Sequence, residues 1–145
     1  VSPCDGIVGA CGTIRDGELL QAKDHRYTLA ELLADEVVAA RFRHGTYVTL
    51  RICASMYHRF HAPADCRVRH VTYVAGDAFN VNPVTVERLP KLFCRNERAV
   101  IHAELAGGAE ELLLVPVAAV LVASIRLHFA NVLLHLRYSG ATSIP

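Results

Sequence analysis

The feature that most restricts the fold is a run of apolar residues late in the chain. Leu112 to Ile125 is the most hydrophobic segment of the 145 residues. A membrane-spanning helix needs about 20 apolar residues, so this run is too short to cross a bilayer. Its valine and alanine content, with Pro116 near its start, predicts a buried strand or a pair of strands. We therefore expect the chain to fold around a sheet.

Short apolar runs separated by turn residues predict the other strands. The predicted strands are Ile7 to Ile14, Glu18 to Ala22, Val37 to Phe42, Thr46 to Cys53, Cys66 to Val74 and Arg98 to Leu105. Asp16-Gly17 predicts a hairpin turn between the first two runs. Arg43-His44-Gly45 is expected to join the next two as an antiparallel pair. Gly107-Gly108 predicts the turn that follows the last of them.

Helices are expected to be few and short. Thr28 and Glu31 form a capping-box pattern, so residues 28 to 34 are predicted to form a helix. Residues 77 to 96 lack sustained periodicity and predict a long ordered loop with a short helix. The leucines of Leu127 to Tyr138 are compatible with a helical stripe. The predicted class is mainly β with short helices (α+β), a single antiparallel strand-rich domain over residues 1–145.

Charge and cysteine content indicate which class of partner and which cysteine state to expect. With 15 basic and 14 acidic residues, a net charge of +1 and no tryptophan, the chain lacks the basic surface and stacking platform of a nucleic-acid-binding protein. We expect no nucleic-acid partner. The five cysteines are odd in number and contain no Cys-x-x-Cys pair. Reduced thiols are therefore expected instead of a disulfide framework.

The side chains best suited to acid–base chemistry lie together in Tyr57-His58-Arg59-Phe60-His61. Two imidazoles three residues apart are suited to proton transfer near neutral pH, although histidines are also common as surface or core residues. His58 and His61 with Cys53 or Cys66 could also bind zinc, as in a zinc-dependent hydrolase. Since the chain lacks the close ligand pairs of most zinc sites, we expect no metal.

The motifs together resemble those of the phosphatidylserine decarboxylase family, whose members depend on a pyruvoyl group. The resemblance runs from Val1 to about Ile125 and agrees in order and spacing. The matching segments are Ser2-Pro3-Cys4-Asp5-Gly6, Gln21-Ala22-Lys23, Tyr27-Thr28-Leu29, Tyr57-His58-Arg59-Phe60-His61-Ala62-Pro63, Val74-Ala75-Gly76-Asp77, Val81-Asn82 and Leu92-Phe93-Cys94-Arg95-Asn96-Glu97-Arg98.

The resemblance implies a proenzyme that cuts itself at a Gly-Ser bond, after which the serine becomes a covalent pyruvoyl group heading a small chain. Asp5 and His61 match the residues that assist this cut in the manner of a serine protease triad. His58 matches the histidine associated with decarboxylation of phosphatidylserine to phosphatidylethanolamine through a Schiff base. Without the resemblance, Asp5-Gly6 would be interpreted as an ordinary turn.

The resemblance also implies partners and a location. Tyr57, Phe79 and Asn82 are candidate substrate-binding residues, although Asn82-Pro83 equally favours a turn. The implied partners are the small pyruvoyl-bearing chain, a phospholipid and the membrane surface, with a homodimer left open. The implied location is peripheral, at the cytoplasmic face of a bacterial-type inner membrane. Arg95 and Arg98 are expected either to contact phosphate or to form an internal pair with glutamate.

One motif of the family is missing from these residues. The 145 residues contain no Gly-Ser dipeptide, and Ser139-Gly140 has the reverse order. We therefore expect the pyruvoyl serine to lie outside this chain and the chain alone to be inactive. Two interpretations stay open: a core truncated at both ends, or an inactive homologue serving as a strand-rich lipid-binding or structural module. Retention of Asp5, His58 and His61 favours truncation.

Overall fold

A computed structural model describes residues 1–22, 25–135, 138 and 143–144 of the chain. Lys23 and the Ser139-Gly140 pair lie outside the described residues. The strands in the described part are β1 (Ile7–Thr13), β2 (Glu18–Ala22), β3 (His25–Thr28), β4 (Thr46–Arg51), β5 (Cys66–Val74), β6 (Arg98–Leu105), β7 (Glu111–Leu114), β8 (Ser124–Leu127), β9 (Val132–His135) and β10 (Ser143–Ile144). The helices are α1 (Leu29–Leu33), α2 (Glu36–Arg41), α3 (Pro83–Arg88) and α4 (Leu92–Arg95).

The secondary structure confirms the predicted class, mainly β with short helices. These strands pair antiparallel in each sheet they form. Each described helix has only four to six residues. None of the helices in this part of the chain is long and apolar enough to span a membrane.

Residue contacts divide the chain into two compact units. The first unit comprises Val1–Pro3, Phe60–Phe79 and Asn96–Pro145. The second comprises Cys4–Arg59 and Asn80–Arg95. The assignment of residues 1–145 to a single domain stays a prediction.

A four-stranded sheet in the order β10, β5, β6, β7 forms the framework of the first unit. Residues 98–101, at the start of β6, are all buried, as expected for an inner strand. The buried core of this unit consists of Val71, Tyr73, Ala99, Ile101, Ala118, Ile125, Leu127 and Leu134. Half of this core therefore lies on β5 and β6, and the rest comes from Ala118 and the β8–β9 pair.

A β-bulge changes which residues of β5 face that core. The pairing of β5 with β6 shifts register between Val68 and His70. Simple alternation predicts that Val68 faces away from Val71 and Tyr73, whereas all three pack in or against the core. The extra residue at the bulge reverses the alternation, so side chains on both sides of it reach the same interior.

The second unit contains the predicted turn but not the predicted pairing. Asp16 and Gly17 both have positive φ angles, 53° and 79°, and the Glu18 N–H donates to the Arg15 carbonyl oxygen at 2.9 Å. This is the backbone that Asp-Gly favours. The strands on either side of it do not pair along their length, because β1 pairs with β4 and β2 pairs with β3.

The helix predicted from the capping box is confirmed, but the strand predicted after it is wrong. Thr28 and Glu31 form the reciprocal capping box at the start of α1. Residues 36–41 form α2, because the Asp35 carboxylate accepts hydrogen bonds from the N–H groups of Val37 and Val38, both at 2.9 Å. Capping of the first turn outweighs the strand preference of the two valines.

Residues 77 to 96 were expected to form an ordered loop with a short helix, and they contain two. Asn82 caps α3, and Pro83 is its first residue, where a missing N–H has no consequence. The helix α4 follows after Lys91, whose φ angle is positive at 56°.

The apolar run is only partly buried, so the prediction of a buried strand is wrong for its middle. The run supplies β7 and β8, with Ala118 and Ala119 buried between them. The next three residues, 120–122, are exposed. The segment after residue 127, left open between a helical stripe and other structures, forms a 3₁₀ turn at His128–Ala130 that connects β8 to β9 in the described residues. Pairing with β8 holds the leucines of β9 in a strand.

Candidate functional site

The two candidate histidines lie in the histidine loop, residues 52–65, which connects β4 to β5 without regular secondary structure. A turn opens it, in which the Met56 N–H donates to the Cys53 carbonyl oxygen at 2.9 Å. His58 is exposed, and its Nδ1 lies 2.7 Å from the Met56 carbonyl oxygen. A carbonyl can only accept, which assigns the proton of neutral His58 to Nδ1. Its Nε2 is then available to accept or deliver a proton at the exposed side of the loop.

The backbone of His61 is held at a defined place in the first unit. Its N–H donates to the carbonyl oxygen of Pro3 at 2.7 Å, while the side chain is exposed. This bond joins residues far apart in the sequence, so it restricts where the His61 side chain starts. His61 is thus anchored through its main chain.

Asp5 is exposed in the second unit and is followed by a glycine that packs closely. A Cβ atom added at Gly6 would lie 3.0 Å from the Cβ of Leu50 and 3.3 Å from the Cys4 sulfur. The φ angle of Gly6 is not in the left-handed region. Glycine therefore suits the close approach to β4 at this position. Burial and the Asp5 charge raise the pKa of the Cys4 thiol.

The three candidate substrate-binding residues have different surroundings. Tyr57 is 49% exposed in the histidine loop. Phe79 is half-buried. The Asn82 side-chain oxygen accepts from the backbone N–H of Thr85 at 2.9 Å and from its hydroxyl at 3.1 Å. Asn82 therefore uses its oxygen to cap α3, and Asn82-Pro83 begins a helix where the sequence also favoured a turn.

Asn96 holds the backbone of Phe79, a contact that sequence analysis missed. Its side-chain oxygen accepts from the Phe79 N–H at 2.9 Å, and its side-chain nitrogen donates to the Phe79 carbonyl at 2.8 Å. The same nitrogen donates to the Ala118 carbonyl at 2.8 Å. Asn96 is completely buried, so it acts as an internal clamp on the segment that carries Phe79. The only signal in the sequence was its place in Arg95-Asn96-Glu97-Arg98.

Glu97 is a buried carboxylate, which sequence analysis did not identify either. It is 0% exposed, and neither side-chain oxygen accepts a hydrogen bond from a described residue. The nearby Tyr73 hydroxyl donates instead to the His135 carbonyl oxygen at 3.1 Å. Burial raises the pKa of Glu97, although Tyr73 and His135 act in the opposite direction. The neutral acid is the form that this environment favours.

The Glu97 carboxylate, adjacent to Arg98 in the sequence, accepts no hydrogen bond from it. Arg98 is 2% exposed and donates to the Asn96 carbonyl oxygen at 3.0 Å. Neither carboxylate oxygen of the adjacent Glu97 has a hydrogen-bond partner in the described part of the chain. Arg95, in contrast, is exposed at the end of α4. Of the two arginines, Arg98 is therefore the buried one.

The predicted site residues are distributed over both units. Asp5, Tyr57, His58 and Asn82 belong to the second unit, and His61 and Phe79 belong to the first. For the zinc alternative, the residues that the structure describes contain no group of three or more His, Cys, Asp or Glu side chains placed to hold a metal ion. Each unit does offer exposed groups of the kind that move protons, Asp5 and His58 in the second and His61 in the first.

The similarity of this chain to known proteins is not confined to the candidate site residues. The family model described as phosphatidylserine decarboxylase matches residues 1–140. A phosphatidylserine decarboxylase proenzyme of Aliivibrio fischeri (strain MJ11) is 50% identical over 99 residues, covering 68% of this chain and 34% of the relative. One of Yersinia pestis (strain Pestoides F) is 42% identical over 130 residues, covering 89% of this chain and 44% of the relative. The chain therefore spans less than half the length of these relatives.

Proposed function

The chain belongs to the phosphatidylserine decarboxylase family, and from that premise we propose that it is the large-chain core of an enzyme that decarboxylates phosphatidylserine to phosphatidylethanolamine. The observation that carries the proposal is the family match over residues 1–140, which includes Asp5, His58 and His61. The proposed substrate is a phospholipid. The proposed setting is a peripheral one, at the cytoplasmic face of a bacterial-type inner membrane.

Maturation is assigned to Asp5 and His61. In this proposal, His61 takes the proton of a serine hydroxyl outside these 145 residues, and that oxygen attacks the carbonyl carbon of its own preceding peptide bond. The bond between this carbon and the serine nitrogen breaks, and the nitrogen takes the proton from His61. Asp5 supplies the negative charge that favours the protonated imidazole. The relatives are named proenzymes, which supports a second, smaller chain cut from the same precursor as the partner.

Turnover is assigned to His58. A pyruvoyl group, when bound, supplies the electron-withdrawing carbonyl that stabilises the charge left by departing carbon dioxide. The chemistry of this chain fits such a group, because His58 has Nδ1 engaged with Met56 and Nε2 without a described partner. In this proposal, protonated Nε2 delivers its proton to the carbon that has lost carbon dioxide. Tyr57 and Phe79 are proposed to contact the lipid headgroup.

The full-length protein tests both assignments separately. His61→Ala is expected to remain an uncut proenzyme on a denaturing gel. His58→Ala is expected to split into two chains but to lose decarboxylation, measured as carbon dioxide released from phosphatidylserine. His44→Ala is the matched control, since His44 is an exposed histidine outside the site and its loss should change neither result.

The same experiments separate this function from that of an inactive homologue. The wild-type protein is expected to split and to be inactivated by borohydride, which reduces a reactive carbonyl or its imine. A full-length protein that neither splits nor releases carbon dioxide contradicts the proposal and favours a strand-rich lipid-binding or structural module. Normal splitting of His61→Ala contradicts the maturation role alone.

A further inference from the structure

The apolar turn, residues 119–122, exposes aliphatic side chains at its tip. Ala119 and Val122 close the turn, with the Val122 N–H donating to the Ala119 carbonyl oxygen at 2.9 Å. Leu121 is 96% exposed, and Val120 and Val122 are 46% and 42% exposed. These three residues form a continuous apolar tip in the middle of the most hydrophobic segment of the chain.

The base of the apolar turn is firmly anchored. Ala118 and Ala119 are 2% and 4% exposed, and Ala118 belongs to the core of the first unit. The Ala118 N–H donates to the Glu97 carbonyl at 2.8 Å, and its own carbonyl accepts from the buried Asn96 side chain at 2.8 Å. The buried base therefore holds the tip in its exposed position.

The residue at the tip is unfavourable for a turn in water. Leu121 has a φ angle of 72°, in the left-handed region where glycine and asparagine are preferred and a leucine side chain is strained. Its side chain also gains nothing from burial within the described residues. Strained backbone is often retained where a segment has a function. Entry of Leu121 into an apolar medium would give its side chain the burial that it lacks in water.

Other exposed aliphatic residues do not share this arrangement. Val37, for example, is 76% exposed on the surface of α2, but its helix follows ordinary capping rules. Single exposed aliphatic side chains are normal on protein surfaces. Three in succession on a closed and anchored turn are a different feature, and Val37 offers a control for them.

We propose that Leu121, together with Val120 and Val122, inserts into the interfacial region of a phospholipid bilayer. Three aliphatic side chains present roughly a few hundred Å², well below the ~1,000 Å² that a specific protein interface needs. A bilayer requires no such area, because each aliphatic carbon that enters it adds to the affinity. This inference rests on the proposed function, since an enzyme acting on phosphatidylserine must take its substrate from a membrane.

The test measures binding of the full-length protein to phosphatidylcholine vesicles with and without phosphatidylserine by co-sedimentation. Leu121→Asn is the informative variant, because asparagine tolerates the left-handed backbone and the fold should keep its melting temperature. We expect it to bind vesicles about tenfold more weakly than the wild-type protein. Val37→Asn is the matched control and should bind as the wild-type protein does.

A second variant reports insertion directly. The 145 residues contain no tryptophan, so Leu121→Trp adds a fluorophore at the tip. We expect the fluorescence that this variant adds to shift to shorter wavelength with vesicles and to be quenched by brominated lipids. Wild-type and Leu121→Asn proteins that bind vesicles equally would overturn the inference, as would an added tryptophan that stays in water.

One remaining outcome distinguishes insertion into a bilayer from contact with a protein. The others separate a failure of this inference from a failure of the proposed function. If Leu121→Asn leaves vesicle binding unchanged but lowers the oligomeric mass in light scattering, the tip contacts protein and the inference is wrong. If the wild-type protein binds vesicles through Leu121 but decarboxylates no serine lipid, the inference stands and the proposed function fails. If Leu121→Asn loses activity on vesicles while keeping it on detergent-dispersed lipid, both are supported.

Discussion

The histidine loop and the polar segment Asn96-Glu97-Arg98 contain equally recognisable motifs in very different surroundings. His58 and His61 are exposed, and their anchoring bonds involve the main chain at Met56 and at His61 itself. The polar segment is 0% to 2% exposed and bonds to backbone groups at several places in the first unit. The two histidines of the first region are exposed, whereas the second region is buried inside the protein.

The difference shows that a family motif need not mark reacting groups. Groups that move protons must reach a substrate, so exposed imidazoles suit that task. A buried amide that is hydrogen-bonded to the backbone positions the groups that it contacts. Contact with a substrate would break those hydrogen bonds and leave buried polar groups unsatisfied. The histidine loop is therefore the region suited to chemistry, and the polar segment holds the backbone around Phe79 and Ala118.

The largest expected effect is on activity, from a change in the histidine loop. His58→Ala should lower kcat by about 100-fold or more, because it removes the proposed proton donor. Its free energy of unfolding should change by less than about 0.5 kcal/mol, since the side chain is exposed. Denaturant unfolding and steady-state kinetics on the full-length protein check both. A large fall in the free energy of unfolding of His58→Ala would contradict the difference between the histidine loop and the polar segment.

The next largest effect is on stability, from a change in the polar segment. Asn96→Ala removes the bonds to the Phe79 N–H, the Phe79 carbonyl and the Ala118 carbonyl. Leaving these groups buried without partners should lower the free energy of unfolding by about 3 kcal/mol. Asn80→Ala is the control: it removes an exposed bond to the Asn82 N–H and should cost less than about 1 kcal/mol. Equal losses in the two variants contradict the clamp.

The smallest expected effect is on the pH dependence of stability, and it comes from Glu97 in the polar segment. Because the pKa of Glu97 is raised by burial, the folded protein holds this proton more tightly than the unfolded chain, whose ordinary value is 4.5. The contribution of Glu97 to stability therefore falls as pH rises from that value through the folded pKa. Glu97→Gln should gain stability relative to the wild-type protein over the same window, by on the order of 1 kcal/mol.

Melting temperatures at mildly acidic and mildly alkaline pH measure this gain. The advantage of Glu97→Gln should be present at alkaline pH and disappear toward acid, where both side chains are neutral. Glu110→Gln, at an exposed carboxylate before β7, is the control and should show no such trend. An advantage that is independent of pH points to packing and not to the buried charge.

Predictions from sequence succeeded where the relevant atoms are close along the chain. Thr28 and Glu31 lie three residues apart, so their capping box could be predicted from the sequence. The strand predicted at Val37 failed because Asp35 caps the first turn there, a local signal that the apolar pattern concealed. The bulge near Val68 and the partner of β1 depend on distant strands, which local periodicity does not specify.

The candidate site divides in the same way. Asp5, His58 and His61 were proposed from the motifs that resemble the family, and their roles stay predictions. The bonds of Asn96 join residues 17 and 22 positions apart, so no local pattern indicates which groups it would hold. The environment of Glu97 is equally invisible in the sequence, because burial is a property of the packed core.

By itself, the sequence determined the Asp16-Gly17 turn and the capped helix α1 from residue types at short spacing. It also indicated the mainly β class and, through a resemblance of its motifs, the family. Only the tertiary structure decided that Asn96 clamps Phe79, that Glu97 is buried without a described partner and that Leu121 is exposed. The apolar run shows the reason. Its composition predicts burial throughout, but burial depends on which neighbours pack over a segment, and no described residue covers its tip.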